Sequence, residues 1–415
     1  MFIRNLAMIG FYLIGLGTAI GQTASSAAMP ANLGKSNEQG TPLKLGSVLF
    51  YPSAALRHGY DSNITMAPSN PVSSTVQALR VGLLADYEHQ GDRYQLGYDG
   101  TYNRYLSSPI DDIQNQQIAL QGNNFLNSRH ALRWMAIYRD AYDPRGSTDR
   151  DRVGGAVVSN RAPDHYTQRR IGGTYSYGAE GSQGRLEFDA FQNSKQYQNN
   201  RESTRTADVD SRELGFRFLY RIMPKTQLVF DVRDTNFDYR AADARLDSTE
   251  RKYLIGANWS ATAATSGSVR VGQTVREYRD FRSGFSGFSW EAAINWKPFT
   301  YSRFDFNTSR SVVDPVSSQP YTNYVLATVY GIKWTHDWTS YVHTSLAWNH
   351  LTSEYDETTR APRRDKVNNY LVGVYYDFRR WISVGLEYSE SRRDSNDSNF
   401  VYDRQRTMAL IEAKF

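Results

Sequence analysis

Histidine, serine and acidic side chains are the residues with which this chain would do chemistry, and their spacing decides what they can reach. His336, His343 and His350 recur at intervals of seven. Seven residues of extended chain cover about 24 Å, and an odd step turns His343 to the face opposite His336, so the three imidazoles do not converge on one ion. No serine stands in a nucleophile setting such as G-x-S-x-G. Asp394-Ser395-Asn396-Asp397-Ser398-Asn399 and Asp61-Ser62-Asn63 have the side chains of calcium loops, but lack the sixth-position glycine and the closing glutamate. They are expected as solvated loop tips. Gly284-Phe285-Ser286-Gly287 marks a turn, because no helix follows to cradle a phosphate. The chain has no cysteine, which removes disulfides, thiolate metal sites and cysteine nucleophiles. The expectation is a protein that is not an enzyme, with no catalytic residue, metal or cofactor.

What remains is a large set of charged residues that recur at every second position within apolar stretches. By this alternation Arg80, Asp86, Arg133, Arg139, Glu187, Asp189, Arg217, Arg221, Asp231, Arg233 and Lys252 share one side of their segments. Arg270, Arg276, Glu291, Lys297, Arg303, Asp305, Lys333, Asp377, Glu387, Glu412 and Lys414 do the same further on. Facing a common interior, they are candidates to line a hydrated pore that passes sugars or anions.

The elements that would position them are strands. Thr407, Ala409, Ile411, Ala413 and Phe415 alternate with Arg406, Met408, Leu410, Glu412 and Lys414. Ile382, Val384, Leu386 and Tyr388 alternate with Ser383, Gly385, Glu387 and Ser389. The same rhythm puts Leu214, Phe216, Phe218 and Tyr220 opposite Arg217 and Arg221, and Trp290, Ala292, Ile294 and Trp296 opposite Glu291 and Lys297. A sandwich strand of about 5–6 residues also alternates, but its inner face is dry. Here the segments are longer and the polar face carries glycines and charges of both signs, which fits oil on one side and water on the other.

Breaks at Pro, Gly, Asp and Asn predict about eighteen segments. They begin near Gly46, Thr75, Arg93, Ile113, Arg129, His165, Gly184, Asp208, Lys225, Thr249, Ser268, Gly287, Tyr301, Pro320, Ser340, Asp365, Trp381 and Asp403. The fold class expected is an all-β, transmembrane, antiparallel up-and-down β-barrel of 16–18 strands. Short periplasmic turns fall at 89–92, 127–128, 223–225, 337–339 and 379–380. Longer external loops fall at 61–74, 143–164, 199–207, 356–364 and 393–402. The 143–164 loop is the candidate for a constriction or lid. Phe299, Tyr301, Trp334, Tyr341, Phe378 and Trp381 would form an aromatic girdle at the turn end. Tyr60, Tyr105, Tyr142, Tyr197, Tyr239 and Tyr355 would form one at the loop end.

Composition agrees. Only 40% of residues are hydrophobic, too few for helical spans, yet 13% are aromatic, with 29 Tyr and 19 Phe, which suits strands that cross two interfaces. The 48 basic and 43 acidic residues are interspersed and leave +5, so no basic tract marks a nucleic-acid partner. Arg4 precedes the uncharged apolar run Leu6 to Ile20, and small residues follow to Ala28. This predicts a signal peptide over 1–28, a short periplasmic segment over 29–44 and a barrel over 45–415. The location expected is the outer membrane of a Gram-negative bacterium.

The opening segment Leu49-Phe50-Tyr51-Pro52-Ser53-Ala54-Ala55-Leu56-Arg57-His58-Gly59-Tyr60-Asp61-Ser62-Asn63-Ile64 resembles that of the EpsL-like outer-membrane β-barrels of exopolysaccharide operons. Their first strand ends in Tyr-Asp-x-Asn, matched by Tyr60, Asp61 and Asn63. The resemblance implies export of a polysaccharide through the barrel, with a periplasmic polysaccharide-export protein as partner. The terminal Phe415 is the residue type that the barrel-assembly machinery reads. Outer-membrane lipid and lipopolysaccharide would surround the wall. The expected function is a passive conduit for exopolysaccharide. A diffusion porin for small solutes and a non-conducting adhesive or structural barrel are the alternatives.

Overall fold

The structure is a computed structural model that describes residues 41–153, 156–157, 161–260, 264–315, 322–357 and 362–415. The expected signal peptide lies outside the described residues. Eighteen long strands follow in order: β1 (Val48–Asp61), β2 (Ser74–His89), β3 (Asp92–Tyr105), β4 (Ile113–Phe125), β5 (His130–Asp143) and β6 (Asp164–Tyr177). Then come β7 (Gly184–Tyr197), β8 (Val209–Met223), β9 (Thr226–Tyr239), β10 (Ser248–Trp259), β11 (Thr265–Tyr278) and β12 (Phe285–Phe299). The last six are β13 (Ser302–Val313), β14 (Thr322–Asp337), β15 (Val342–Glu357), β16 (Arg364–Arg379), β17 (Ile382–Ser395) and β18 (Tyr402–Lys414). Each starts within about three residues of its expected position, because the turn-forming residues that break the alternation also end the pairing.

Each strand pairs antiparallel with its sequence neighbours, and β1 pairs with β18 from Ser53↔Lys414 to Asp61↔Arg406. The sheet therefore closes on itself, and a closed sheet leaves no unpaired edge in lipid. Below Ser53, β1 outruns β18, and the three-residue strand Leu43–Leu45 folds back to cover that edge, pairing Leu43↔Phe50. Connections alternate between short and long. Gln90 and Gly91, with φ of 51° and 93°, make the two-residue turn between β2 and β3, a conformation that glycine adopts without strain. The pairing register slips beside the short turns at Arg221/Met223, Trp296/Phe299 and Asp377/Arg379.

Burial separates the two faces. Leu56, Leu214 and Leu386 are 60%, 66% and 65% exposed on the outer wall, while Asp231, Arg233 and Ser176 are buried on the inner one. Such an inversion needs a nonpolar solvent outside. The apolar outer band, however, occupies only the part of the wall nearer the short turns. Towards the long loops the outward positions turn polar: Leu214 gives way to Arg212 and Asp210, Val232 to Asp234 and Asp238, and Tyr388 to Glu390 and Arg392. Ion pairs run along this upper belt, including Arg240–Asp210 at 3.0 Å, Arg251–Asp234 at 3.2 Å and Arg279–Asp238 at 2.9 Å.

At the turn end the girdle forms as expected, with Phe299 and Tyr301 stacked at 5.3 Å and Phe378 and Trp381 exposed. At the loop end the expectation is overturned. Tyr60 and Tyr142 point outward, but Tyr105, Tyr197, Tyr239 and Tyr355 fall on the inward register. Their hydroxyls sit among carboxylates and guanidiniums: Tyr197 donates to Asp143 at 2.7 Å and Tyr239 to Asp314 at 2.6 Å.

Candidate functional site

The interior wall carries a connected set of ions, centred on β5 to β12. Arg133 reaches Glu187 at 3.2 Å, and Arg217 spans Glu187 at 2.5 Å, Asp189 at 2.9 Å and Asp231 at 3.4 Å. Arg233 bridges Asp231 at 2.6 Å and Glu291 at 2.9 Å, and Arg270 stands 3.6 Å from Asp231 and 3.8 Å from Glu291. The register explains the contact: Glu187 pairs with Arg217, which pairs with Asp231, so charges of opposite sign lie side by side across strands. Eight of the residues singled out in the sequence thus form one network.

The others keep the inward register, and most of them pair locally. Arg80 meets Asp99 at 2.7 Å, Asp86 meets Arg93 at 2.6 Å, and Lys252 meets Glu250 at 3.2 Å. Arg303 and Asp305 are 3.2 Å apart, and Lys414 and Glu412 2.9 Å apart. Glu387 accepts from the Tyr375 hydroxyl at 2.9 Å, and Asp377 lies 3.6 Å from His343. Arg276 is fully buried near the mouth, 2.6 Å from Asp314. Arg139 binds the Gln117 side-chain carbonyl at 2.7 Å. Arg221, Lys297 and Lys333 sit on the inward register in the half nearer the short turns. No group of His, Asp and Glu among the described residues is arranged to hold a metal ion.

The mouth is where the sequence said least. Residues 144–150, which follow β5, fold back into the barrel and bury Arg145, Ser147 and Thr148. Arg145 forks onto Asp111 of the β3–β4 connection. Gly146, at φ +73°, packs so closely on the Thr65 carbonyl of the β1–β2 connection that a Cβ there would collide with it. Asp149 is 3.0 Å from Arg363 and 3.4 Å from Arg393, on the β16–β17 side of the mouth. Arg150 returns to Asp143 at 3.2 Å and to the Tyr197 hydroxyl at 2.6 Å. The segment reaches across the opening and is fastened at both sides. Burial disfavours the Arg363 guanidinium, but its bond to Asp365 and the charge of Asp149 outweigh this and raise its pKa. Between the β7–β8 and β9–β10 connections, Arg205 forks onto Asp243 and holds its carboxyl below the usual range.

The acidic loop motifs also prove structural. Asp61 and Asn63 are buried, not solvated: Asn63 accepts from Ala67 N at 3.0 Å and donates to the Asp403 carbonyl at 3.0 Å. Asn396 likewise accepts from Arg364 N at 2.9 Å and donates to the Pro362 carbonyl at 2.9 Å. An asparagine that satisfies two backbone groups fixes a loop without any ion.

A closed, oil-faced cylinder of antiparallel strands with a charged interior defines an outer-membrane β-barrel. Residues 39–415 match the family described as Putative beta-barrel porin 2, and the chain belongs to that family. No curated protein matches the chain. Among solved structures it is similar to OccK2 (OpdF) of Pseudomonas aeruginosa, with 11% identity, TM-score 0.47, and 91% of this chain and 100% of that one covered. OccK5 (OpdH) of the same organism gives 11%, 0.46, and coverage of 88% and 98%. The FrpB iron transporter of Neisseria meningitidis gives 12%, 0.47, and 83% of this chain, which spans only 62% of that transporter.

Proposed function

We propose that this barrel is a passive outer-membrane conduit for an exopolysaccharide, made with a leader that is removed on export. The observation that carries the reading is the inner wall. It presents charges most of which are paired with neighbours, interleaved with serine and asparagine at Ser289, Asn295, Ser345, Asn369 and Ser389. Such a surface offers a sliding sugar chain many weak hydrogen bonds and no deep trap, which is what a conducting path requires. The lining candidates from Arg80 to Lys414 act as the bed of that path, not as catalysts. The Tyr60-Asp61-x-Asn63 element adds the resemblance to exopolysaccharide-operon barrels. On this reading a periplasmic polysaccharide-export protein docks at the short-turn end, and Phe415 serves as the mark for barrel assembly.

The folded-in segment at 145–150 favours a second reading, a diffusion porin for small solutes, since it narrows the mouth that a polymer must clear. Deleting the gene separates the two. Loss of surface polymer with unchanged uptake of small sugars is expected, and intact polymer with impaired uptake would reverse the order. A barrel that carries no current in planar bilayers would instead point to an adhesive or structural role.

A further inference from the structure

We infer that a group of guanidiniums on one side of the wall beneath the folded-in segment selects anions, so that the solute of this barrel carries carboxylates. This rests on the conduit reading above. Arg139 lies four residues below the outer end of β5, Arg170 six below that of β6, and Arg406 four below that of β18. On a tilted wall this places all three roughly 10–16 Å inside the rim. All three occupy the inward register and are half-buried.

None of the three has a carboxylate within ion-pair distance among the described residues. Arg139 is held by the neutral carbonyl of Gln117 at 2.7 Å, Arg170 lies over the Phe191 ring at 4.8 Å, and the Arg406 Nε has no hydrogen-bond partner. Glu213 acts on Arg170 only at longer range. Arg57, on β1 opposite Leu410, has an unpartnered Nε and only a loose contact, 3.9 Å, to Glu387. The carboxylates nearby are differently placed. Asp61 is taken by Arg404, Asp143 by Arg150, and Asp164 by Arg161 at 2.6 Å. The segment overhead is also matched, Arg145 with Asp111 and Asp149 with Arg363 and Arg393. Among the described residues, positive charge is therefore left over on this side of the wall.

A guanidinium with unused N–H groups is a forked donor that suits a carboxylate. Several along one side of a passage focus their field on the solute within it, while each single contact stays weak enough to release. The solute that fits is a polysaccharide whose repeat carries an acidic sugar.

The test uses the full-length barrel in planar bilayers under a tenfold KCl gradient, with reversal potential as the readout. Wild type is expected to favour chloride several-fold. Arg139→Gln/Arg170→Gln/Arg406→Gln is expected to lose that preference with conductance retained, since glutamine keeps a polar side chain. Added oligogalacturonate should block wild-type current at a several-fold lower concentration than neutral maltohexaose, and the gap should close in the variant. A wild-type barrel that conducts without preference, or favours potassium, overturns the filter and leaves the conduit reading standing. Absence of current from barrels with native β-sheet circular dichroism overturns the conduit reading itself, and the filter with it. Should the triple variant not fold, the single variants decide, each expected to move the potential part of the way.

Discussion

Asp61 and Arg404, 343 positions apart in the chain, meet as a two-pronged pair, with Nε 3.0 Å from Oδ1 and Nη2 2.6 Å from Oδ2. They lock the seam between the first strand and the last at the end where the long loops begin. Removing one partner leaves a buried charge uncompensated, at a cost of about 3–5 kcal/mol. Asp61→Ala is therefore expected to lower the urea midpoint of the detergent-folded barrel. Asp61→Ala/Arg404→Ala should lose less than the two single variants together. Additive losses would mean that the pair is not the seam's fastening.

Releasing the mouth segment should widen the path. Gly146→Ala cannot keep its place against the Thr65 carbonyl, and its positive φ is strained for alanine. Asp149→Ala loses Arg363 and Arg393 together. Both variants are expected to raise single-channel conductance above wild type, with larger fluctuations. Unchanged conductance in both would show that the narrowest point lies elsewhere.

Depth along the outer wall should set the cost of a new charge. Leu214→Arg falls within the apolar band and should destabilise by about 2–4 kcal/mol, whereas Ser194→Arg, in the polar belt, should cost about 0–1 kcal/mol. Unfolding titrations in lipid vesicles compare the two. Equal costs would mean that the band is not where the hydrocarbon lies.

Phe415 stacks on Trp381 at 5.4 Å, and its N–H donates to the Pro52 carbonyl at 3.0 Å, across the seam. Phe415→Ala is expected to reduce the amount of assembled barrel in the outer membrane several-fold, and Phe415→Tyr to restore it. Pulse-chase of the heat-modifiable form reads the rate. If both variants assemble like wild type, the terminal ring is not the assembly mark.

The strands and their facing were legible in the sequence because both follow from one local rule, a side-chain period of two broken by turn residues. Trp290 and Glu291 announce opposite faces without any knowledge of their neighbours. The same rule reaches Arg404 and Arg406 from Glu412 and Lys414. What it does not give is partnership. Nothing local ties Asp149 to Arg363, or Asp61 to Arg404, since those pairs depend on where a loop turns and on which strands become adjacent at closure. The loop-end tyrosines failed for a related reason. Tyr197 and Tyr239 stand at strand ends as girdle residues do, but their parity sends the rings inward, where Asp143 and Asp314 take the hydroxyls. Aromatic type told less than position in the two-residue count.

The polar outward belt on the loop side sets the height of the barrel's opening. About three outward positions per strand stand above the apolar band, which on a tilted wall lifts the opening roughly 15 Å beyond the oil. The barrel is in effect a short chimney. On the proposed conduit reading, a polymer would leave through an opening that stands clear of the hydrocarbon and not flush with it.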